Sequence, residues 1–270
     1  MSSNTPRALL FLDYEGTLGT SVERHFVQYV EALARLKSWL AGRLDEAATR
    51  FLEPLPKDEF LTQYARVKRI GRLLQVANTN MPEAIVLQAI LDQMHAEIIW
   101  EYRPEHMQHE RVIAGAQQNL ARLAGSFRCI VVSYTRQDRG DFAEHLIRLE
   151  LAGPGVIEID DVVTVGAEGQ KSREAKAAAI QSRFGEEIRS QLASGRRPVL
   201  VADATDDMAA AFDCGLAFLG VCDTGKSTRS DFAGALREER TERASELHAV
   251  FTDSAGNPEL PELLAVLSGG

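Results

Sequence analysis

The sequence has few of the features that mark secreted or membrane-spanning proteins. Its three cysteines, Cys129, Cys214 and Cys222, form no CxxC pair and lie in or beside apolar segments. Such an odd, widely spaced set suits reduced core thiols better than disulfides or zinc ligands. The longest apolar run near the N-terminus, residues 8–12, is too short to span a bilayer and lacks a signal-peptide cleavage pattern. We therefore expect a cytoplasmic protein that does not bind membranes.

Positive charge is also scarce. The chain carries 30 lysines and arginines against 39 aspartates and glutamates, a net charge of −9. This balance argues against general binding to nucleic-acid phosphates, which requires a basic face. A length of 270 residues with 45% hydrophobic residues is enough to bury a real core. We therefore expect a folded protein. Its charge is compatible with a small anionic substrate, provided that a metal and a few fixed cations offset the repulsion locally.

Short apolar runs bounded by loop residues predict six buried strands. They lie at residues 9–12, 129–132, 162–165, 199–202, 217–221 and 249–251. Segments with helical periodicity separate most of these runs, and strands that alternate with helices indicate a parallel sheet with helices on both faces. The predicted fold class is therefore α/β, with a Rossmann-like three-layer α/β/α core.

The stretch from residue 21 to residue 111 breaks this alternation. It is helical by pattern, with one amphipathic helix from about Val22 and another from Pro82, which is tolerated in the first helical turn. It contains no convincing strand. We therefore predict a catalytic α/β core formed by residues 1–20 and 112–270, interrupted by an all-α insertion at 21–111.

Polar residues follow three of the predicted strands. Asp13 follows the first strand, Ser133 follows the second, and Asp203 begins the acidic sequence that ends at Asp207. Each residue taken singly is also explained as an ordinary strand end, turn or helix start. In an open parallel sheet, however, ligands bind outside the carboxyl ends of the strands, where these side chains would meet. Carboxylates gathered there would repel without a cation, and hard oxygen ligands favour Mg²⁺.

A phosphoryl group in such a site would also need a cationic side chain. Two lysines lie near the start of the helix after the strand at 162–165. Lys171 lies in the loop before that helix, and Lys176 lies four residues before Ile180 and shares its face. Either could be an ordinary surface lysine. We favour Lys171 and retain Lys176 as the alternative.

These residues resemble the four motifs of the haloacid dehalogenase-like superfamily, in order: Asp13 to Thr17, Ser133, Lys171, and Asp203 to Asp207. The resemblance covers the predicted core, and the insertion is similar to the helical cap that many members place over the active site. The pattern Asp-x-Glu-Gly-Thr and the Gly-Gln-Lys sequence at 169–171 also resemble the enolase-phosphatase of methionine salvage, but the insertion does not.

The resemblance implies a Mg²⁺-dependent phosphoric monoester hydrolase, a phosphatase in which Asp13 is the nucleophile and Glu15 the general acid and base. Asp13, the backbone carbonyl of Glu15, Asp203 and Asp207 would hold the metal. Ser133 and Lys171 would bind the phosphoryl oxygens. The implied substrate-binding residues are Tyr14, Gly16, Thr17, Ser133, Tyr134 and Lys171.

Two alternatives stay open. A phosphomutase or phosphotransferase of the same fold would pass the phosphoryl group to another acceptor. A non-catalytic protein of this fold would bind without turnover, and Glu15 motivates this reading because most phosphatases of the superfamily have aspartate at that position. For the enzyme we expect a small phosphorylated metabolite as substrate and a monomer or homodimer.

Overall fold

The protein is represented by a computed structural model that describes residues 7–41, 52–67, 70–73, 82–101, 103–135, 137–165, 172–222, 227–242, 247–253 and 255–269. The chain divides into two compact units, one formed by residues 1–20 with 111–270 and the other by Ser21–Glu110.

A short antiparallel pair closes the first unit where the second is inserted. Strand β2 (Gly19–Thr20) pairs with β3 (Arg111–Val112), and Gly19 lies opposite Val112. Arg111 therefore belongs to the first unit, whereas the sequence analysis assigned it to the insertion. Two-residue strands lack the length that a periodicity argument needs, so the sequence did not predict them.

The core sheet has six strands in the order β5-β4-β1-β6-β7-β8, and all neighbouring strands are parallel. Their bounds are β1 (Ala8–Leu12), β4 (Phe127–Ser133), β5 (Val162–Thr164), β6 (Val199–Ala202), β7 (Ala217–Val221) and β8 (Ala249–Thr252). All six predicted strands are present, which confirms the α/β fold class.

Both faces of this sheet are buried, which explains why its strands are continuous apolar runs. In β1, Leu10 and Leu12 contribute to one hydrophobic cluster, while Leu9 and Phe11 contribute to a second cluster on the opposite face. The helices that cover the two faces are α5 (Ala116–Leu123), α6 (Arg139–Arg148), α7 (Arg173–Ala193), α8 (Thr205–Asp213), α9 (Arg229–Glu242) and α10 (Leu260–Ser268).

The strand order reverses direction at β1. The chain runs from β1 outward through β4 to β5, then returns to the other side of β1 and continues through β6 and β7 to β8. Crevices form outside the carboxyl ends of the strands at such a switch point. The ends of β1, β4 and β6 therefore meet where a ligand site is expected.

The unit Ser21–Glu110 is helical in its described parts. It contains α1 (Val22–Leu40), α2 (Lys57–Val67), a 3₁₀ turn (Ile70–Leu73), α3 (Pro82–Glu101) and α4 (Pro104–Met107). Its own hydrophobic core includes Leu33 and Leu36 from α1, Phe60 from α2 and Leu91 from α3. Within the described segments, no helix is both long enough and apolar enough to cross a membrane.

A buried histidine in this helical unit makes its stability depend on pH. His95 is 7% exposed, and burial, with smaller contributions from the neighbouring charges of His25 and Arg24, lowers its pKa from 6.5 to about 3. The neutral form is therefore favoured in the folded protein.

We expect acid to destabilise the protein through His95. Below pH 6.5 the unfolded chain takes up a proton at this residue that the folded chain does not bind until about pH 3. Stability should therefore fall by about 1.4 kcal/mol per pH unit in this range, or about 2 kcal/mol by pH 5. Urea unfolding of the wild type and of His95→Leu at pH 7.5 and pH 5 tests this. The variant should lose less stability on acidification, and equal losses would contradict the prediction.

Candidate active site

Asp13 lies directly after β1 and continues the alternating series of Leu9 and Phe11. Its backbone amide donates to the carbonyl of Val201 in β6 (2.9 Å), which extends the strand pairing by one residue. The side chain is 2% exposed. The sheet therefore fixes this carboxylate between the ends of β1 and β6.

Two further buried carboxylates meet Asp13. Asp203 follows β6, and Asp207 lies in the first turn of α8, four residues further along the chain. One oxygen from each of Asp13, Asp203 and Asp207 lies within 4.8 Å of the others. Residues from two strand ends and one helix thus form a single carboxylate cluster, as the positions of these residues in the sequence predicted.

Lys176 joins this cluster and is fully buried. Its Nζ lies 2.9 Å from Oδ1 of Asp13 and 2.6 Å from Oδ1 of Asp207. Burial alone would lower the pKa of this lysine, but the charges of Asp13 and Asp207 outweigh burial and raise the pKa above its usual value. The ammonium group therefore stays charged.

The start of α7 explains why Lys176 faces inward. Ser172 caps this helix, and its hydroxyl accepts a hydrogen bond from the amide of Ala175 (3.2 Å). Lys176 lies in the first turn, and its face continues through the buried residues Ile180 and Phe184. The four-residue spacing to Ile180 was the sequence signal for this orientation.

Lys171, the lysine that the sequence analysis favoured, lies outside the described residues. The structure brings the alternative, Lys176, into contact with Asp13 and Asp207. Of the two lysines, Lys176 is thus the one with an observed place in the cluster.

Gly16 brings its backbone against Asp203. It has φ +81°, and a Cβ at this position would lie 2.0 Å from Oδ2 of Asp203. The position thus requires glycine for two reasons: its left-handed conformation and the absence of space. Glycine at this position allows the loop after β1 to pack directly on the carboxylate of the neighbouring strand end.

Replacing Gly16 with alanine should displace Asp203 and weaken the carboxylate cluster. Left-handed backbone alone costs about 1–2 kcal/mol with a Cβ. Gly155 is a matched control, because it has φ +79° and nothing within 4 Å of its Cβ position. Thermal melts with and without Mg²⁺ should show a larger loss for Gly16→Ala than for Gly155→Ala, together with a smaller stabilisation by Mg²⁺. Similar behaviour of the two variants would contradict the steric role of Gly16.

The structure shows the surroundings of three predicted substrate-binding residues, Tyr14, Gly16 and Thr17. The Tyr14 side chain is 4% exposed and belongs to the hydrophobic core. Its ring packs edge-on against Phe142, and its hydroxyl lies 2.8 Å from Nε2 of His145, so this side chain does not reach a substrate. The amides of Gly16 and Thr17 donate within the loop, to the carbonyls of Gly19 (2.8 Å) and Tyr14 (3.2 Å), and these bonds shape the loop.

A small pocket of about 180 Å³ opens beside the carboxylate cluster. Its lining consists of Asp13, Glu15, Ser133, Tyr134, Ala204, Asp206 and Asp207. Ser133 and Tyr134 come from the end of β4, and Glu15 comes from the loop after β1. The structure therefore brings the predicted positions 13, 15, 133, 134 and 207 to one pocket. It also adds Asp206, to which the sequence analysis assigned no role.

The cluster suits a divalent cation. Three carboxylates and one ammonium give a local formal charge of −2 (−3 from Asp13, Asp203 and Asp207, +1 from Lys176), which such an ion would balance. All the ligand atoms on offer are carboxylate oxygens, the type that Mg²⁺ prefers. The observed residues therefore fit the predicted metal.

The chain matches no family model and no curated protein, but its structure is similar to several solved ones. A putative phosphatase from Clostridium difficile is 10% identical, with 97% of this chain and 100% of that chain covered and a TM-score of 0.58. A predicted phosphatase from Clostridium acetobutylicum is 14% identical, with 97% and 98% covered and a TM-score of 0.52. At these identities the likeness shows a shared fold.

Proposed function

We propose that this chain, which has the fold of the haloacid dehalogenase-like superfamily, is a Mg²⁺-dependent phosphatase that hydrolyses a small phosphate monoester through an aspartyl-phosphate at Asp13. One observation carries the proposal: three carboxylates meet within 4.8 Å at the switch point of the sheet, with a buried lysine in contact with two of them. Anionic and cationic groups in one buried site suit a metal ion and a phosphoryl group together.

In the first half of the reaction, an oxygen of Asp13 forms a bond to phosphorus as the bond from phosphorus to the ester oxygen breaks. Glu15, which lines the pocket beside Asp13, gives its proton to the departing oxygen, so the product leaves as an alcohol. Lys176 and Ser133 hold phosphoryl oxygens where negative charge develops.

In the second half, the carboxylate of Glu15 takes a proton from water, and the water oxygen attacks phosphorus. The bond between phosphorus and Asp13 breaks, which releases inorganic phosphate and restores both carboxyl groups. Asp13, the carbonyl of Glu15, Asp203 and Asp207 would hold Mg²⁺. The ion supplies charge neutralisation for the phosphoryl oxygens.

The test is a panel of small phosphate esters, assayed for release of inorganic phosphate with MgCl₂ and with EDTA. We expect hydrolysis of at least one ester, a fall of at least about tenfold in EDTA, and recovery when excess Mg²⁺ is added. Hydrolysis that is insensitive to EDTA would contradict the metal site. Transfer of phosphate to an added sugar without release would instead favour the phosphomutase alternative, and binding without any turnover the non-catalytic one.

A further inference from the structure

Tyr134 makes two contacts with the segment that carries Lys176. It follows Ser133 at the end of β4 and lines the pocket. Its ring centroid lies 4.5 Å from Nζ of Lys176. Its hydroxyl donates a hydrogen bond to the backbone carbonyl of Ser172, the residue that caps α7. One side chain therefore acts on both the ammonium group and the first turn of its helix.

The ring of Tyr134 interacts with the Lys176 ammonium in a different way from the carboxylates. A carboxylate beside the ammonium attracts it strongly and competes with phosphoryl oxygens for it. The face of an aromatic ring attracts a cation more weakly and adds no formal charge. A ring within cation–π distance can therefore restrict the position of the Lys176 ammonium while leaving its charge available to a ligand.

The hydroxyl contact fixes the backbone that bears the lysine. Burial, outweighing the nearby positive charge of Lys176, raises the pKa of the Tyr134 hydroxyl, so this group remains a hydrogen-bond donor at neutral pH. Its bond to the carbonyl of Ser172 ties the end of β4 to the start of α7. Ser133 directly precedes Tyr134, so the same hydrogen bond also fixes the position of the Ser133 hydroxyl relative to Lys176.

We propose that Tyr134 is a positioning residue that holds the Lys176 ammonium for a phosphoryl oxygen, chiefly through its ring and secondarily through its hydroxyl. This inference rests on the proposed function of the site. Tyr134 differs from Ser133 and Lys176 in that it acts through another side chain and needs no direct bond to the phosphoryl group.

Two substitutions separate the contributions of the ring and the hydroxyl. Tyr134→Phe keeps the ring and removes the bond to Ser172, so we expect the affinity for inorganic phosphate to fall by about threefold. Tyr134→Leu removes both contacts and should weaken phosphate binding by about tenfold or more. If the phenylalanine variant binds phosphate as weakly as the leucine variant, the ring has no role and the proposal is wrong.

A double-mutant cycle shows whether Tyr134 acts through the lysine. Phosphate affinity is measured by calorimetry in saturating Mg²⁺ for the wild type, Tyr134→Leu, Lys176→Met and the double variant. We expect Tyr134→Leu to change affinity by less than about twofold when Lys176 is already methionine. Equal losses in both backgrounds would overturn the proposal, as would wild-type protein that binds no phosphate.

General destabilisation is controlled in two ways. Phe251→Leu removes a partly buried aromatic at the edge strand β8, where it stacks on Phe232, and should leave phosphate affinity unchanged. The Mg²⁺ affinity of Tyr134→Leu should also stay within about twofold of the wild-type value, because Tyr134 lies against the lysine. A collapsed site would instead lose affinity for Mg²⁺ as well as for phosphate. If Lys176→Met does not fold, the comparison of phenylalanine and leucine at position 134, read against Mg²⁺ affinity, decides the question.

The two proposals can fail separately. Absence of ester hydrolysis by the wild type, together with coupled phosphate binding, would remove the phosphatase function and retain the role of Tyr134. If the wild type hydrolyses esters but the effects of Tyr134→Leu and Lys176→Met on phosphate affinity are independent, the phosphatase function is retained and the role of Tyr134 is removed.

Discussion

Asp13→Asn is expected to lower the turnover of phosphate esters by about a thousandfold or more, because the amide cannot serve as the nucleophile. Asparagine has nearly the same shape, so the loop after β1 and its hydrogen bond to Val201 should persist. The other two carboxylates of the cluster remain. The measurement is kcat and KM on the best ester of the panel, with Mg²⁺ binding followed by calorimetry.

Asp160→Asn is the matched control, because the Asp160 side chain is 90% exposed and pairs with Arg139 on the surface. It makes the same chemical change away from the site and should keep wild-type kinetics. Residual activity of Asp13→Asn above about a tenth of wild type would assign the nucleophile to another group. A loss of folding in Asp13→Asn, seen as a melting transition well below that of the control, would prevent this reading of the kinetics.

Lys176→Met should cost both activity and stability. Loss of a cationic group at a phosphoryl site lowers turnover by about a hundredfold or more. The same substitution removes the positive charge that contacts two buried carboxylates, and breaking such a buried pair costs about 3–5 kcal/mol. Because Mg²⁺ can replace part of that charge, we expect the metal to stabilise Lys176→Met more than it stabilises the wild type. Activity assays and urea unfolding with and without Mg²⁺ measure these effects.

Lys171→Met is the variant that distinguishes between the two candidate lysines. It should retain turnover within about threefold and unfold as the wild type does, because Lys176 already supplies the cation at the carboxylate cluster. The reverse pattern, with the large loss at position 171, would restore the original preference for Lys171 and contradict the role given to Lys176.

The sheet was predictable because its strands are buried on both faces and therefore appear as continuous apolar runs. The six runs correspond to the six observed strands, with differences of one or two residues at their ends. The carboxylate cluster was also predictable, since parallel strands place their carboxyl ends on one edge. Side-chain contacts such as the ring of Tyr134 over Lys176 depend on how a helix packs against a strand end, which no local pattern encodes.

The directions of two side chains had usable signals in the sequence. Side chains of a strand alternate between faces, and Tyr14 continues the series of Leu10 and Leu12, which lie in one hydrophobic cluster with it. Asp13 belongs to the opposite series. The inward direction of the tyrosine could thus have been inferred. For Lys176, the signal was the face that it shares with Ile180, four residues further along α7.

The pairing of β2 with β3 has a consequence for how such a chain can diversify. Where Gly19 and Val112 lie side by side, the polypeptide leaves and re-enters the sheet-bearing unit at a single point. The ninety residues of Ser21–Glu110 can consequently be exchanged, lengthened or shortened without shifting the register of any strand in the sheet. Evolution, or a protein engineer, can therefore alter the inserted helices while the carboxylates and the lysine keep their places.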